Sequence, residues 1–235
     1  MSLPSRIVQI GQVEKKDHYF LTEEDVCFYF GDYLAVTDSQ KKAWEVSEVN
    51  KFIVNFKKTL DFKNTASWRF KLGAIHNAAQ LFAGVWDWNN VSANNSALIP
   101  IPPSRSRQDP LYDSRLVDML HLIKQQTGVD LDIRDCLSFS GQYSASHKSQ
   151  AGNRIGVEQL VNDLQLCPVA GKLTEPPRYI ILFDDVLTTG RHYIAAKQKV
   201  NQVFPDAVVF GAFLARRIIP DPPPFDEIDL SEFFI

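Results

Sequence analysis

Ile180-Ile181-Leu182-Phe183-Asp184-Asp185-Val186-Leu187-Thr188-Thr189-Gly190 is the stretch on which the reading of this chain turns. Tyr179–Phe183 is an unbroken apolar run of strand length, so it predicts a buried strand. That strand delivers two adjacent carboxylates at its C-terminal end. A hydroxyl-rich turn follows. Beyond it, residues 191–204 carry Ile194, Ala195, Val200 and Val203, which predicts a helix. The segment Ile180–Val200 is therefore strand, loop and helix. In open parallel sheets, ligands sit outside the carboxyl ends of strands. A helix N-terminus offers unpaired N–H groups and the positive end of a dipole, both suited to a phosphate.

The loop residues divide by chemistry. Thr188 and Thr189 add hydroxyl donors, and Gly190 lets the backbone approach a ligand closely. Asp184 and Asp185 repel a phosphate, so their use is a neutral, donor-rich group beside it. Ionised carboxylates only accept hydrogen bonds, and a ribose with vicinal hydroxyls is the matching donor. The plain alternative makes the acids solvated turn residues and Thr189 a helix cap. The ordered combination after an apolar strand favours the ligand loop.

Outward from this segment, Ala207–Leu214 reads as a further buried strand, and Ala97-Leu98-Ile99-Pro100-Ile101-Pro102 as a strand entering a loop. Trp68–Trp86 repeats apolar residues at spacings of three and four, as does Arg115–Gln126 ahead of Gly128; both predict helices. Leu131–Phe139 suggests a strand near a turn, and Arg154–Leu164 a helix. Near the start, Thr22 followed by Glu23, Glu24 and Asp25 reads as a helix entrance, continuing into apolar Val26–Phe30. Strands without alternating polarity indicate an α/β fold whose parallel sheet is covered on both faces. Residues 1–48 are expected as an extension, 49–219 as the main domain, and 220–235 as a Pro-rich, acidic tail.

Two further loops are candidates for chemistry. Ser104-Arg105-Ser106-Arg107 follows a buried strand, and its guanidiniums would suit a diphosphate. Ser138–Gly152 is rich in Ser, Gly and Gln and reads as an exposed loop, with His147, Lys148 and then Arg154 as cations near it. Lys57-Lys58 and Arg216-Arg217 offer cations to an anionic ligand, but both pairs read chiefly as surface charge.

Composition narrows the classes. The 235 residues carry a formal net charge of −3, which argues against a primary nucleic-acid binder. The three cysteines, Cys27, Cys136 and Cys167, are far apart, which argues against a disulfide framework or a structural zinc site. No apolar stretch approaches membrane-spanning length, and Met-Ser-Leu-Pro-Ser shows no signal-peptide pattern, so a cytoplasmic protein is expected.

The motif as a whole resembles the phosphoribosyl pyrophosphate loop of type I phosphoribosyltransferases: an apolar strand, two acids, two variable residues, then Thr-Thr-Gly. The resemblance implies a Rossmann-like parallel-sheet fold, with Asp184 and Asp185 on the ribose hydroxyls and Val186, Leu187, Thr188, Thr189 and Gly190 around the 5-phosphate. It puts Ser104, Arg105, Ser106 and Arg107 at the pyrophosphate, and Lys148 and Arg154 on a catalytic loop. Mg²⁺ would arrive on the diphosphate, with no direct protein ligand. The order of Asn55-Phe56-Lys57-Lys58, Ala74–Phe82, Ile99-Pro100-Ile101-Pro102 and Arg105–Arg107 is similar to the ComF-type branch over roughly residues 50–218. That branch usually carries an N-terminal zinc module whose cysteines this chain lacks, and Gly-Phe-Asn-Gln where this chain has Leu111-Tyr112-Asp113-Ser114. The resemblance implies phosphoribosyl transfer to a nitrogen nucleophile with release of pyrophosphate. The alternative is a non-catalytic nucleotide-binding sensor or accessory protein. Relatives of this type are often dimers, so a homodimer is the protein partner it allows.

Overall fold

A computed structural model describes residues 3–36, 41–140, 156–167 and 173–218. The main sheet has six strands: β1 (Val8–Gln9), β2 (Val26–Leu34), β3 (Ser96–Pro100), β4 (Asp132–Ile133), β7 (Tyr179–Leu187) and β8 (Val208–Ile218). Their order across the sheet is β1-β2-β8-β7-β3-β4. Only the β1–β2 pair is antiparallel; the other four pairings are parallel. The helices are α1 (Ala43–Val46), α2 (Glu48–Phe56), α3 (Trp68–Val85), α4 (Trp88–Ala93), α5 (Arg115–Thr127), α6 (Val157–Asp163) and α7 (Arg191–Asn201). Strands β5 (Leu137–Phe139) and β6 (Leu164–Leu166) form a separate antiparallel pair. The expected α/β class with a mostly parallel sheet is what the chain forms.

Neighbouring strand residues face opposite sides of a sheet, and β7 divides its apolar residues accordingly. Ile181 and Phe183 pack with Phe52 and Phe56 of α2, Phe82 of α3 and Met119 of α5. Ile180 and Leu182 pack with Leu160 of α6 and with Tyr193, Ala196 and Val200 of α7. Both faces are covered, which is why these strands carry no polar alternation. From β3 the chain crosses through α5 to β4; from the adjacent β7 it crosses through α7 to β8 on the other side. The two connections leave in opposite directions over opposite faces. That is a topological switch point, where an open sheet leaves a crevice beyond its strand ends.

The helix expected at Thr22 is corrected. Thr22 donates through both its backbone N–H and its hydroxyl to Asp25 Oδ2, at 2.7 and 2.9 Å. This is a tight turn rather than a helix entrance, and the chain continues as the nine-residue strand β2, parallel to β8. Part of residues 1–48 thus belongs to the main sheet. The strand β7 also runs further than its apolar residues suggest, carrying Asp184 and Asp185 inside its last residues. The α5 helix ends as expected, with Gly128 at φ 68° closing it through an N–H bond to the Lys124 carbonyl at 3.1 Å. Among the described residues, no helix is long and apolar enough to cross a membrane.

Candidate functional site

At the C-terminal ends of β3 and β7 lies a cavity of about 330 Å³. Asp184, Asp185, Val186 and Thr188 form its floor, and His192 of α7 adjoins them. Pro102, Pro103, Ser104 and Arg105, just past β3, make a second side. Lys57 and Thr59 after α2, with Leu111, Asp113 and Arg115 at the entrance of α5, close a third. Asp184 and Asp185 of the sequence-predicted ribose set and Val186 and Thr188 of the phosphate set therefore line one cavity with part of the predicted diphosphate loop, while Leu187, Thr189 and Gly190 are not on its wall.

The two aspartates have opposite electrostatic situations. Asp185 is only 3% exposed and faces the α2–α5 side. Its Oδ2 accepts from Arg115 Nε at 3.1 Å and Nη2 at 2.6 Å, and its Oδ1 from Lys57 Nζ at 2.9 Å. Burial works against its charge, but the Lys57 and Arg115 cations outweigh that and hold it well below the usual carboxylate range. Asp184 has no cation in ion-pair range among the described residues. Its Oδ1 accepts from the Asp185 N–H at 2.7 Å. Burial, with the adjacent Asp185 charge, pushes its carboxyl up to about 7.

A line of alternating charges continues away from the floor. Arg115 Nη1 donates to Asp113 Oδ2 at 2.8 Å, and Lys71 Nζ donates to the same oxygen at 2.7 Å and to the Phe56 carbonyl at 2.9 Å. Lys71 is 2% exposed, and burial lowers its pKa despite Asp113. The signs alternate from Lys71 through Asp113, Arg115 and Asp185 to Lys57, so each of these five charges has an opposite neighbour.

The loop Thr188–Gly190 is fixed from outside. His18 Nδ1 is paired with the Thr188 carbonyl, and the Phe20 N–H donates to the Thr189 carbonyl at 3.1 Å. In a trans peptide the C=O and the following N–H point in opposite directions. Pinning these carbonyls toward the N-terminal segment turns the Thr189 and Gly190 amides the other way. Among the described residues, no acceptor is paired with the N–H of Thr188, Thr189 or Gly190. Gly190 precedes α7 at φ 86°, a conformation that favours glycine. Leu21 fills the space where a side chain would go: a Cβ there would lie 3.0 Å from Leu21 Cδ2. His18 is fully buried, and burial lowers its pKa more than the Thr188 bond raises it.

The diphosphate candidates separate. Ser104 and Arg105 line the cavity, and Arg105 Nη1 donates to Asp109 at 2.7 Å from a half-exposed side chain. Arg107 is turned elsewhere: both its Nη atoms grip Asp135, at 2.6 and 2.5 Å, and Nη2 also donates to the Asp135 and Leu137 carbonyls. It is a tether between the loop and β5, and neither it nor Ser106 is on the cavity wall. Leu187 is 1% exposed and packs into the core beside α7. Lys148 and Arg154, with His147, lie outside the described residues. Arg216 pairs with Asp32 and Asp17 over the Tyr29 ring, away from the cavity. The site residues that the sequence did not single out are Asp113, Arg115, His18 and His192. Lys57 was legible as a cation but not as the partner of Asp185.

What this arrangement can do follows from its donors and acceptors. One end is lined by Thr188, at the head of the loop that enters an eleven-residue helix, the middle presents carboxylate acceptors, and the far wall presents cations. A molecule with anionic groups at both ends and hydroxyls between them is complementary to it. No family model matches the chain, and no curated protein matches it.

Proposed function

We propose that the chain binds phosphoribosyl pyrophosphate, or a closely related ribose 5-phosphate, and transfers the phosphoribosyl group to a nitrogen nucleophile with release of pyrophosphate. One observation carries the reading: paired acids at the end of β7 share a cavity with Thr188, which opens a loop whose Thr188–Gly190 amides have no acceptor among the described residues. The 5-phosphate sits at the α7 entrance, where the amides and helix dipole favour an anion. The ribose hydroxyls donate to Asp184 and Asp185. The diphosphate lies toward Ser104 and Arg105. The mostly parallel sheet, with this loop at its switch point, supports a type I phosphoribosyltransferase-like architecture, which in this reading is of the ComF-like kind.

In this reading the nitrogen lone pair attacks ribose C1 while the C1–O bond to the diphosphate breaks. Positive charge develops on the ring, and the departing oxygens become more negative. The chain holds the sugar in place and stabilises the leaving charge. Asp184 and Asp185 are binding groups here. Mg²⁺ comes with the diphosphate and helps to neutralise it. Asp184 is the one cavity-floor carboxylate without a cationic partner among the described residues, and Mg²⁺ prefers phosphate oxygens and water to an all-protein cage.

The test is calorimetry with phosphoribosyl pyrophosphate and Mg²⁺, followed by a pyrophosphate-release assay across a panel of bases and amines. Binding with release for one acceptor is expected. Binding without release for any acceptor removes the transferase and leaves a sensor; absence of binding removes the whole reading.

A further inference from the structure

The two cations on Asp185 are held very differently. Arg115 is 12% exposed, grips Asp185 with two nitrogens and Asp113 with a third, and lies over the Phe56 ring at 6.0 Å. Lys57 follows α2 on the cavity wall, is 47% exposed, and has Asp185 Oδ1 as its one side-chain hydrogen-bond partner among the described residues. Its flexible stem and compact ammonium suit a change of partner, whereas a guanidinium held on two sides does not. An ionised carboxylate offers about four lone-pair sites. Arg115 takes two on Oδ2, and Lys57 takes one on Oδ1. One site on Oδ1 stays open, so a vicinal diol donating there from the cavity shares the oxygen with Lys57 and weakens its bond.

We propose that Lys57 is an exchangeable cation that makes the site prefer a pentose carrying a second anionic group, such as a diphosphate, over the simple 5-phosphate. This rests on the sugar-phosphate reading above. When a sugar hydroxyl shares Oδ1, the hold of Asp185 on Lys57 loosens and the ammonium is free to change partner. With a diphosphate at C1, the ammonium moves onto the new anion, keeping a charge-assisted bond throughout. With only a 5-phosphate at the distant α7 entrance, it gains no partner for the one it loses. The position of Lys57, on the same wall as Arg115 and across from Thr188, puts it within the cavity that both ligands would occupy. Lys57 thereby acts as a specificity-determining residue, while Arg115 stays in place and keeps Asp185 ionised.

The experiment is calorimetric titration of the full chain with ribose 5-phosphate and, separately, with phosphoribosyl pyrophosphate and Mg²⁺. It compares wild type, Lys57→Met and Lys57→Arg, each checked by a thermal melt. The half-exposed position predicts folded variants; should Lys57→Met not fold, Lys57→Gln serves as the neutral form. In the neutral variant, the preference for the diphosphate ligand falls by about tenfold or more, the loss expected for one charge-assisted hydrogen bond. Affinity for ribose 5-phosphate stays the same or tightens, and Lys57→Arg keeps most of the preference. Equal losses for both ligands, or no change in either while wild type binds both, overturn the exchange and leave the sugar-phosphate reading standing. Wild type binding neither ligand removes that reading and the exchange with it.

Discussion

Replacing Arg115 with Met removes the centre of the charge line while keeping much of the side-chain volume. Three hydrogen bonds to carboxylates disappear: two to Asp185 and one to Asp113. The Asp185 side chain is 4% and the Asp113 side chain 12% exposed, so water reaches neither freely. Breaking a buried pair by removing one partner destabilises by about 3–5 kcal/mol. Here each acid keeps a lysine, Lys57 for Asp185 and Lys71 for Asp113, so the lower end, about 3 kcal/mol, applies. For a chain of this size each kcal/mol shifts the melting temperature by roughly 2–4 °C, so Arg115→Met should melt about 6–12 °C lower. The assay is thermal unfolding at neutral pH of wild type, Arg115→Met, Asp185→Asn and the double variant. Because the two side chains touch, their effects should depart from additivity by about 1 kcal/mol or more. A melting shift under about 2 °C, with additive single effects, refutes the view that Arg115 holds Asp185 in place.

Three further outcomes follow from the same geometry. Gly190→Ala forces an L-residue to φ near 86° and drives a methyl to about 3.0 Å from Leu21, so it should cost ~1–3 kcal/mol and weaken inorganic phosphate binding, read by melting and calorimetry. Asp184 is pushed from 3.8 up to about 7, so the folded chain holds a proton that the unfolded chain releases; stability should decline as pH rises across that window, and Asp184→Asn should flatten the decline in urea midpoints at pH 5, 6 and 7. Arg105→Ala should weaken phosphoribosyl pyrophosphate binding with melting almost unchanged, since an exposed ion pair is worth only about 0–1 kcal/mol, whereas Arg107→Ala should lower melting by cutting the tether to Asp135.

The contiguous residues Asp184, Asp185, Val186 and Thr188, singled out together in the sequence, do line one cavity. In Asp184–Gly190, acids, hydroxyls and glycine stand next to each other after an apolar run, and local order is enough to place them together. The supporting cations were not legible, because Lys57 lies 128 residues and Arg115 70 residues from Asp185. Only the placement of α2 and α5 over one face of β7 brings them in, and nothing local distinguishes Lys57 from a solvated lysine. Thr22–Asp25 misled for a different reason: a hydroxyl followed by an acid three residues on serves equally in a turn and in a helix cap. The side chain of Asp25 settles the matter by bonding back to Thr22 and outward to Lys197 at 2.7 Å, a contact 172 residues away. Arg105 and Arg107 look equivalent in sequence. Asp135, close in space beside β5, is what takes one of them from the cavity.

In the proposed complex a sugar's vicinal hydroxyls meet the acid pair while its phosphate meets the Thr188–Gly190 amides. Titrating wild type with ribose 5-phosphate and with 2-deoxyribose 5-phosphate tests it most directly, because the two differ by a single hydroxyl. A hydrogen bond to a charged acceptor is worth about 1.5–3 kcal/mol, so the deoxy sugar should bind about tenfold weaker or worse. Equal affinity for the two sugars would mean that Asp184 and Asp185 do not read the ribose, and would contradict the claim.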